Sequence, residues 1–220
     1  MRPFRIPKNM NDMSQIKIFP NDRASWMSWS QEIDKFLQPY TKTSNFTLDK
    51  LGPCGISPYG YNESMICIYL KLNKIYGVEN SPCDLSELDS ENHHSRQAME
   101  NPCYEMPPSL RKVIKNTNDT NQVWIECHGK TLNDTAAMGE LEYFPSSQGF
   151  HSRHYPYLNQ KGYVSPLVAV QIRPRKNIES TIQCRAWAQN IVYSQKYKLG
   201  YVEFSVLLVD DDHDDDKDKN

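Results

Sequence analysis

Residues 151–172 read HSRHYPYLNQKGYVSPLVAVQI and join an aromatic loop to an apolar strand. The second half, residues 166–172, is a nearly continuous apolar run, which is typical of a buried strand. The first half brings Tyr155, Pro156 and Tyr157 together. Tyrosine buries a large area and still offers a hydroxyl group, so it is favoured where proteins meet. The stretch therefore predicts either a surface that contacts another protein or a tyrosine-rich turn that covers its own core.

The rest of the sequence predicts a mainly β fold with one amphipathic helix near the N-terminus. Asp22 can cap this helix, and Trp26, Trp29 and Ile33 follow at spacings of three and four residues, which places them on one face. Apolar or alternating runs predict strands at residues 15–19, 67–76, 123–128, 141–144, 164–172, 182–187 and 201–209. Short strands joined by loops rich in Pro, Gly and Asn favour an antiparallel β-sandwich.

Composition divides the chain into three parts. Residues 1–13 are rich in Pro and Asn and are predicted to be extended, whereas residues 14–209 form one folded domain. Inside this domain, residues 79–121 are polar and contain several prolines, which predicts a long irregular insertion with at most a helical turn at residues 110–115. Residues 210–220 form an acidic tail that is predicted to be disordered.

Charge and hydropathy argue against two classes of function. The tail carries seven Asp and two Lys, and the remaining residues carry 23 basic and 20 acidic side chains. Nucleic-acid binding needs a concentrated basic face, which this balance does not indicate. A helix that spans a bilayer needs ~20 consecutive apolar residues. The longest apolar runs, residues 166–172 and 204–209, are much shorter, so we do not expect a membrane-spanning helix in this sequence.

Glycan acceptors and cysteines place the chain in the secretory compartment or outside the cell. Asn-x-Ser/Thr acceptors occur at Asn45, Asn62, Asn118 and Asn133, and there are six cysteines. N-glycosylation and disulfide formation both occur in that compartment. The first residues lack the apolar core of a secretory signal. We therefore expect this chain to be the lumenal part of a longer protein.

Six cysteines allow fifteen pairings, and the sequence alone does not choose between them. Cys127 and Cys184 lie in predicted strands and could tie two sheets together. The closures suggested by position along the chain are Cys54 with Cys67, Cys127 with Cys184, and Cys83 with Cys103.

The pair Cys83 and Cys103 also has an alternative as zinc ligands, because His93 and His94 lie between them. Structural zinc sites usually contain closely spaced Cys or His pairs. This spacing is absent from the pattern, so we expect a disulfide or free thiols and no metal.

No sequence motif for catalysis is present: the chain lacks the nucleophile elbow, the zinc-protease helix, the P-loop and the dinucleotide-binding fingerprint. Cys127 and His128 are adjacent, but neighbours on a strand face opposite sides of the sheet. Glu140 and Glu142 share a strand face, for which solvation is the ordinary explanation. We therefore expect a non-enzymatic protein without a cofactor or a small-molecule substrate.

Seven blocks of sequence occur in an order that is itself informative. They are FPND with its aromatic helix (19–40), CIYLKLNKIYG (67–77), CHGK (127–130), GELEYFPSSQGF (139–150), HYPYLN (154–159), SPLVAVQI (165–172) and CRAWAQNIVYS (184–194). Together they resemble the extracellular domain of the sodium/potassium ATPase β subunit. The similarity extends over residues 16–209.

This resemblance implies a fold and a set of bonds. The fold is an immunoglobulin-like β-sandwich, and the disulfides of the family correspond to Cys54–Cys67 and Cys127–Cys184. The first disulfide of the family has no counterpart, because the segment between Tyr40 and Cys54 is shortened. The pair Cys83–Cys103 lies outside the family pattern and remains an inference from position.

The resemblance also implies a function. The family's β subunit is a non-catalytic, single-pass type II glycoprotein on the extracellular side of the plasma membrane, with a membrane helix that precedes the domain. It supports the maturation, membrane delivery and potassium handling of a P-type ATPase α subunit. The residues expected to contact the α subunit are Tyr155, Pro156, Tyr157, Leu158, Trp29 and Ile33.

The aromatic motif departs from the family pattern, which reads YYPYYG. His154, Leu158 and Asn159 replace two tyrosines and a glycine. This departure, together with the sandwich and the glycan acceptors, keeps open the alternative of a pump-independent cell-adhesion or junction glycoprotein. A β subunit of the H,K-ATPase type also stays open, because it shares nearly all of these features.

Overall fold

The computed structural model describes residues 2–3, 15–42, 46–85 and 101–210. The predicted glycan acceptor Asn45, the histidines His93 and His94, and most of the predicted N-terminal segment and acidic tail lie outside the described residues. No helix within the described ranges is long and apolar enough to cross a bilayer.

Two β-sheets form the body of the protein, which confirms the predicted mainly β class. Sheet A has the order β1 (Arg2–Pro3), β3 (Ile66–Lys71), β7 (Val168–Arg173) and β5 (Glu140–Phe144). Sheet B has the order β2 (Gln15–Ile18), β9 (Tyr201–Leu208), β8 (Ser180–Trp187), β4 (Gln122–Gly129) and β6 (Gly149–His151).

The predicted antiparallel pairing does not hold at one edge of sheet B. Strand β2 pairs with β9 in parallel, with Ile16 beside Val206 and Ile18 beside Leu208. Alternation of apolar residues shows which face of a strand is buried but does not show its direction. The immunoglobulin-like connectivity stays a prediction, since the two strand orders alone do not establish it.

The antiparallel pair β3 and β7 occupies the centre of sheet A. Ile68 lies opposite Val170 on one face, and Tyr69 lies opposite Ala169 on the other. All four side chains are buried. Because both faces are covered, β7 shows the continuous apolar pattern that the sequence predicted. Both strands are shorter than predicted, because residues 72–76 and 164–167 leave the sheet as loops.

Helix α1 (Arg23–Leu37) covers the outer face of sheet A. Its first turn is capped by Asp22, whose carboxylate accepts a hydrogen bond from the Ala24 N–H at 2.9 Å. The Phe36 ring lies 5.7 Å from the ring of Tyr69 on β3. The predicted amphipathic helix is therefore present, and it packs on the sheet through its apolar side.

The described part of the insertion covers the outer face of sheet B, so the prediction of an irregular excursion is wrong there. Helix α2 (Pro108–Lys115) buries Leu110 and Ile114 against Trp124 and Trp187 from strands β4 and β8. This second apolar cluster also includes the disulfide between Cys83 and Cys103. A short α2 with two apolar residues gives too little periodic signal to be separated from a turn.

A third helix was not predicted. Helix α3 (Leu132–Met138) begins with a capping box, in which the Thr131 hydroxyl accepts from the Asp134 N–H and the Asp134 carboxylate accepts from the Thr131 N–H. Such reciprocal bonds satisfy donors that the first turn of a helix leaves free. The helix has only seven residues, so the capping residues were its one clear sequence signal.

Two further disulfides involve residues of the strands. Cys54 is bonded to Cys67 on β3, and Cys127 is bonded to Cys184. Cys127 and Cys184 are direct partners on the neighbouring strands β4 and β8, so the expectation that this bond ties two sheets together is wrong. The sheets are linked there by Tyr143 of β5, whose hydroxyl accepts a hydrogen bond from the Cys127 N–H at 2.8 Å.

Packing of the insertion on sheet B can be tested at α2. Replacing Ile114 with Ala should lower the free energy of unfolding by about 2–4 kcal/mol, because it leaves a cavity between α2 and the sheet. Denaturant unfolding of the disulfide-bonded protein measures the change. Lys112→Ala on the exposed side of α2 is the matched control, expected to stay within ~0.5 kcal/mol of the parent. Equal effects of the two substitutions would show that the insertion does not pack on the sheet.

Candidate partner-binding surface

Three loops meet at one end of the sandwich because of strand direction. Since β3 and β7 are antiparallel, the chain leaves β3 at the end where it enters β7. Residues 72–80 therefore lie beside residues 155–166, and the Gly77 N–H donates to the Tyr157 carbonyl at 2.9 Å. The connection between β8 and β9, residues 188–200, joins them there. We call these three segments together the loop face.

Aromatic and cationic groups hold the centre of residues 155–166 in place. The rings of Tyr157 and Tyr163 lie 5.0 Å apart, and the Lys74 ammonium group lies 5.3 and 5.2 Å from their centroids. The Tyr157 hydroxyl donates to the Asn159 side chain at 2.9 Å. Leu158, between them, is 53% exposed. The segment thus presents one apolar side chain from a fixed backbone.

Tyr155 points the opposite way and packs against the core. Burial raises the pKa of its hydroxyl well above the ordinary value. That hydroxyl is shielded from solvent and has no hydrogen-bond partner among the described residues. A buried polar group without a partner costs about 1–3 kcal/mol. Nearby, the Tyr40 hydroxyl donates to the Ser165 carbonyl at 2.9 Å, which fastens the segment to the chain beyond α1.

Exposed apolar residues are concentrated on the loop face. Of the ten large hydrophobic side chains that are exposed in the described part of the chain, seven belong to it: Ile75, Tyr76, Val78, Leu158, Val192, Tyr197 and Leu199. Single exposed hydrophobic residues are ordinary, but a cluster of them marks a surface that contacts another molecule.

A groove of about 460 Å³ runs between residues 72–80 and 190–200. Its walls are fastened to each other, because the Asn190 amide donates to the Glu79 carbonyl at 2.8 Å and accepts from the Ser81 N–H at 3.1 Å. Gly200 closes the turn before β9 at a φ of +72°, and a side chain there would come within 2.5 Å of the Val192 carbonyl. The hydrogen bonds between the loops and the backbone conformation at Gly200 therefore help to shape the groove.

The structure brings together most of the predicted contact residues, but not all of them. Tyr155 lines the groove, Tyr157 is half-buried, and Leu158 is exposed. Pro156 is also half-buried.

On α1, Trp29 is partly buried against the core and Ile33 is 2% exposed. Ile33 therefore has no surface to offer a partner. The spacing of Ile33 from Trp26 and Trp29 correctly predicted an apolar face of the helix, but that face packs against the domain's own core.

Sequence reasoning missed the two loops that supply most of the exposed apolar residues. The predicted strand 67–76 contains Ile75 and Tyr76, and the sequence assigns no contact role to residues 77–78 or 191–199. The available signal was the presence of Ile75, Val78, Val192 and Leu199 inside otherwise polar loops.

The predicted glycan acceptors within the described residues are all exposed: Asn62, Asn118 and Asn133. None of them belongs to the three segments of the loop face. Glycans at these positions would therefore not be attached to the apolar cluster itself.

The residues considered for catalysis are separated or occupied. The Cys127 sulfur is bonded to Cys184 and offers no thiolate. His128 instead contacts the Glu126 carboxylate at 2.9 Å, and this hydrogen bond raises the pKa of its imidazole. Within the described ranges, no group of three or more His, Cys, Asp or Glu residues is arranged to hold a metal ion.

His154, which takes the place of a tyrosine in the family motif, has a strongly lowered pKa. Burial lowers the pKa of its imidazole from 6.5 to about 4, and the nearby charges of Arg153, His151 and Lys50 act in the same direction. The folded protein therefore holds His154 neutral at pH values where the unfolded chain protonates it. As the pH falls from 6.5 toward 4, the unfolded state binds more protons and the folded state loses stability.

This linkage predicts that the free energy of unfolding will fall less between pH 7 and pH 5 in the His154→Tyr variant than in the parent. Denaturant midpoints at the two pH values measure the difference. His128→Gln is a control of opposite sign, because the raised pKa of His128 stabilises the folded state at low pH; its removal should make the loss larger. Equal losses in the parent and in His154→Tyr would contradict the assignment.

Fold and surface together define a disulfide-bonded, two-sheet domain with an apolar loop face. Comparison with known proteins gives the family: residues 41–204 match the family model described as the sodium/potassium ATPase beta chain. The chain therefore belongs to the sodium/potassium ATPase β-subunit family and corresponds to its extracellular domain, which confirms the resemblance carried by the seven sequence blocks.

Individual relatives agree with the family match. The chain is 37% identical over 205 residues to sodium/potassium-transporting ATPase subunit beta-1 of Drosophila melanogaster, which covers 82% of this chain and 61% of that protein. It is 36% identical to subunit beta-2 of the same organism, over 68% of this chain and 44% of the relative. Subunit beta-1 of Tetronarce californica is 31% identical, over 77% and 52%. The chain thus spans about half of the length of these relatives.

Proposed function

We propose that this chain is the extracellular part of a β subunit that binds the α subunit of a P-type sodium/potassium ATPase through the loop face. In this role it is not catalytic. It supports maturation of the α subunit, its delivery to the plasma membrane and its handling of potassium, from the extracellular side of the membrane and with a membrane helix that precedes the domain. Asn45, Asn62, Asn118 and Asn133 are its proposed glycan sites.

The observation that carries this proposal is the clustering of exposed apolar residues on three fastened loops. Leu158, Tyr76 and Val192 come from different segments, yet hydrogen bonds between their backbones or neighbouring side chains hold those segments together. A surface that is already ordered loses little conformational entropy when it binds. The loop face therefore has both the apolar chemistry and the rigidity of a partner-binding surface.

Leu158 provides the most direct test. Leu158→Asp should reduce co-purification of the α subunit at least tenfold. A tenfold loss of affinity corresponds to about 1.4 kcal/mol, and burying a carboxylate in an apolar interface costs more than that. Leu132→Asp on α3 is the matched control, because Leu132 is 89% exposed and lies outside the loop face. The measurement is quantitative immunoprecipitation from membranes that contain both subunits.

Two outcomes would contradict the proposal. Unchanged co-purification of Leu158→Asp would remove the loop face from the interface. If the unsubstituted chain, expressed with a membrane helix before it, retains no α subunit, the result would favour the pump-independent adhesion protein. Depleting the protein separates these two functions in cells, because loss of a β subunit lowers the amount of α subunit at the surface, whereas loss of an adhesion protein does not.

A further inference from the structure

A second cavity, a cleft of about 510 Å³, borders the loop face at Pro166. Its walls come from the short helical segment Leu48–Gly55, from the turn between β5 and β6, and from residues 151–154. Cavities of this volume are typical of sites for small molecules. The cleft is therefore large enough to hold a small organic ligand.

Three basic side chains line the cleft without a counter-ion. The side chains of Lys50, Arg153 and His154 have neither a hydrogen bond nor an ion pair within the part of the chain that the structure describes. Lys50 and Arg153 are exposed, whereas His154 is half-buried. Cationic groups that are gathered in a cleft attract anions, so these three side chains form a candidate anion site.

The electrostatics of His154 show that the basic groups act on the same point. Burial lowers the pKa of its imidazole, and the charges of Arg153, His151 and Lys50 lower it further. The field of these three groups at the His154 ring is therefore positive. A bound anion would oppose this field and would favour protonation of the ring.

Two carboxylates also line the cleft, and one of them is already paired. Asp119 contacts Nε2 of His151 at 3.1 Å and accepts the Asn121 N–H at 3.2 Å. The Arg153 N–H donates to Nδ1 of the same His151 ring at 2.9 Å. The His151 ring therefore carries its proton on Nε2 and donates it to Asp119. Asp49, which is exposed, is the second carboxylate and the one that opposes an anion.

The rest of the lining is suited to the organic part of a ligand. Phe144 and Pro145 are half-buried and present apolar surface to the cleft. Ser146 and Ser147 follow them on the same turn and also line it, and a hydroxyl group can donate a hydrogen bond to an oxyanion. The cleft thus combines a basic side with an apolar side.

We propose that this cleft binds a small organic sulfate or phosphate monoester. Lys50, Arg153 and His154 hold the oxyanion, and the organic group lies against Phe144 and Pro145. Hydrogen bonds between ionised donors and such oxyanions are stronger than those between neutral groups. The site goes beyond the proposed function and does not depend on it, because binding requires only the free chain.

Phenyl sulfate is a suitable probe, because its charge stays constant between pH 5 and pH 7. Isothermal titration calorimetry on the purified, disulfide-bonded chain should show saturable binding of phenyl sulfate, weaker binding of inorganic sulfate and no binding of phenol. If phenyl sulfate does not bind saturably, or if phenol binds equally well, the proposal is wrong.

Substitutions of the charged residues test which groups hold the oxyanion. Lys50→Ala and Arg153→Ala should each weaken phenyl sulfate binding about tenfold, because each removes a charged donor. Asp49→Asn should strengthen binding, because it removes the opposing carboxylate. Lys112→Ala on α2 removes the same charge as Lys50→Ala outside the cleft and is the matched control. An equal loss in Lys112→Ala and Lys50→Ala would show that only the overall charge matters and would overturn the proposal.

The pH dependence of binding tests the role of His154. Phenyl sulfate should bind several-fold more tightly at pH 5 than at pH 7, because the bound anion raises the pKa of His154 from about 4 toward its ordinary value. His154→Gln keeps a hydrogen-bond donor and should lose this pH dependence, whereas His151→Gln should retain it. A pH dependence that persists in His154→Gln would contradict the assignment of His154.

Competition with phenyl sulfate separates two sources of the ester. The competitors are phenyl phosphate and phosphatidylcholine vesicles that contain phosphatidic acid, with pure phosphatidylcholine vesicles as the control. Displacement by phenyl phosphate alone supports a soluble ligand. Displacement by the phosphatidic acid vesicles as well supports the same oxyanion site with a lipid headgroup as its source. Displacement by neither competitor would overturn the shared sulfate and phosphate chemistry.

Discussion

The antiparallel pairing of β3 with β7 is the constraint on which the rest of the structure depends. It joins segments about a hundred residues apart in the sequence and places Leu70 opposite Val168 at the edge of the loop face. Because the two strands run in opposite directions, the loop that leaves one must lie beside the segment that enters the other. Both faces of the pair are then covered, by sheet B on one side and by α1 on the other.

The same constraint explains why an apolar surface can persist at this end. A free apolar loop would fold back onto the protein, but residues 72–80 are bonded to Tyr157 on one side and to Asn190 on the other. The loops cannot collapse without breaking these bonds, so Ile75 and Val192 remain exposed. Tyr155 has a related role, since its ring supports the groove while its hydroxyl lacks a partner.

The sequence predicted elements whose signals are local and failed where the outcome depends on distant packing. The apolar run of β7 and the spacing of apolar residues in α1 follow from burial, so the existence of both was predictable. Direction is not encoded by alternation, so the parallel β2 and the position of the Cys127–Cys184 bond were missed. The aromatic segment was found from its composition. Its groove was not, because that depends on which loops the sheet topology brings together.

Hydrogen exchange measured on the intact β subunit, alone and in complex with the α subunit, tests the central claim most directly. The claim is that the fastened loop face is the surface that meets the α subunit. We predict slower amide exchange in residues 72–80, 155–158 and 190–200 in the complex, with little change in α2. Unchanged exchange in all three segments, with protection confined to the insertion or to the free edge of β5, would contradict it.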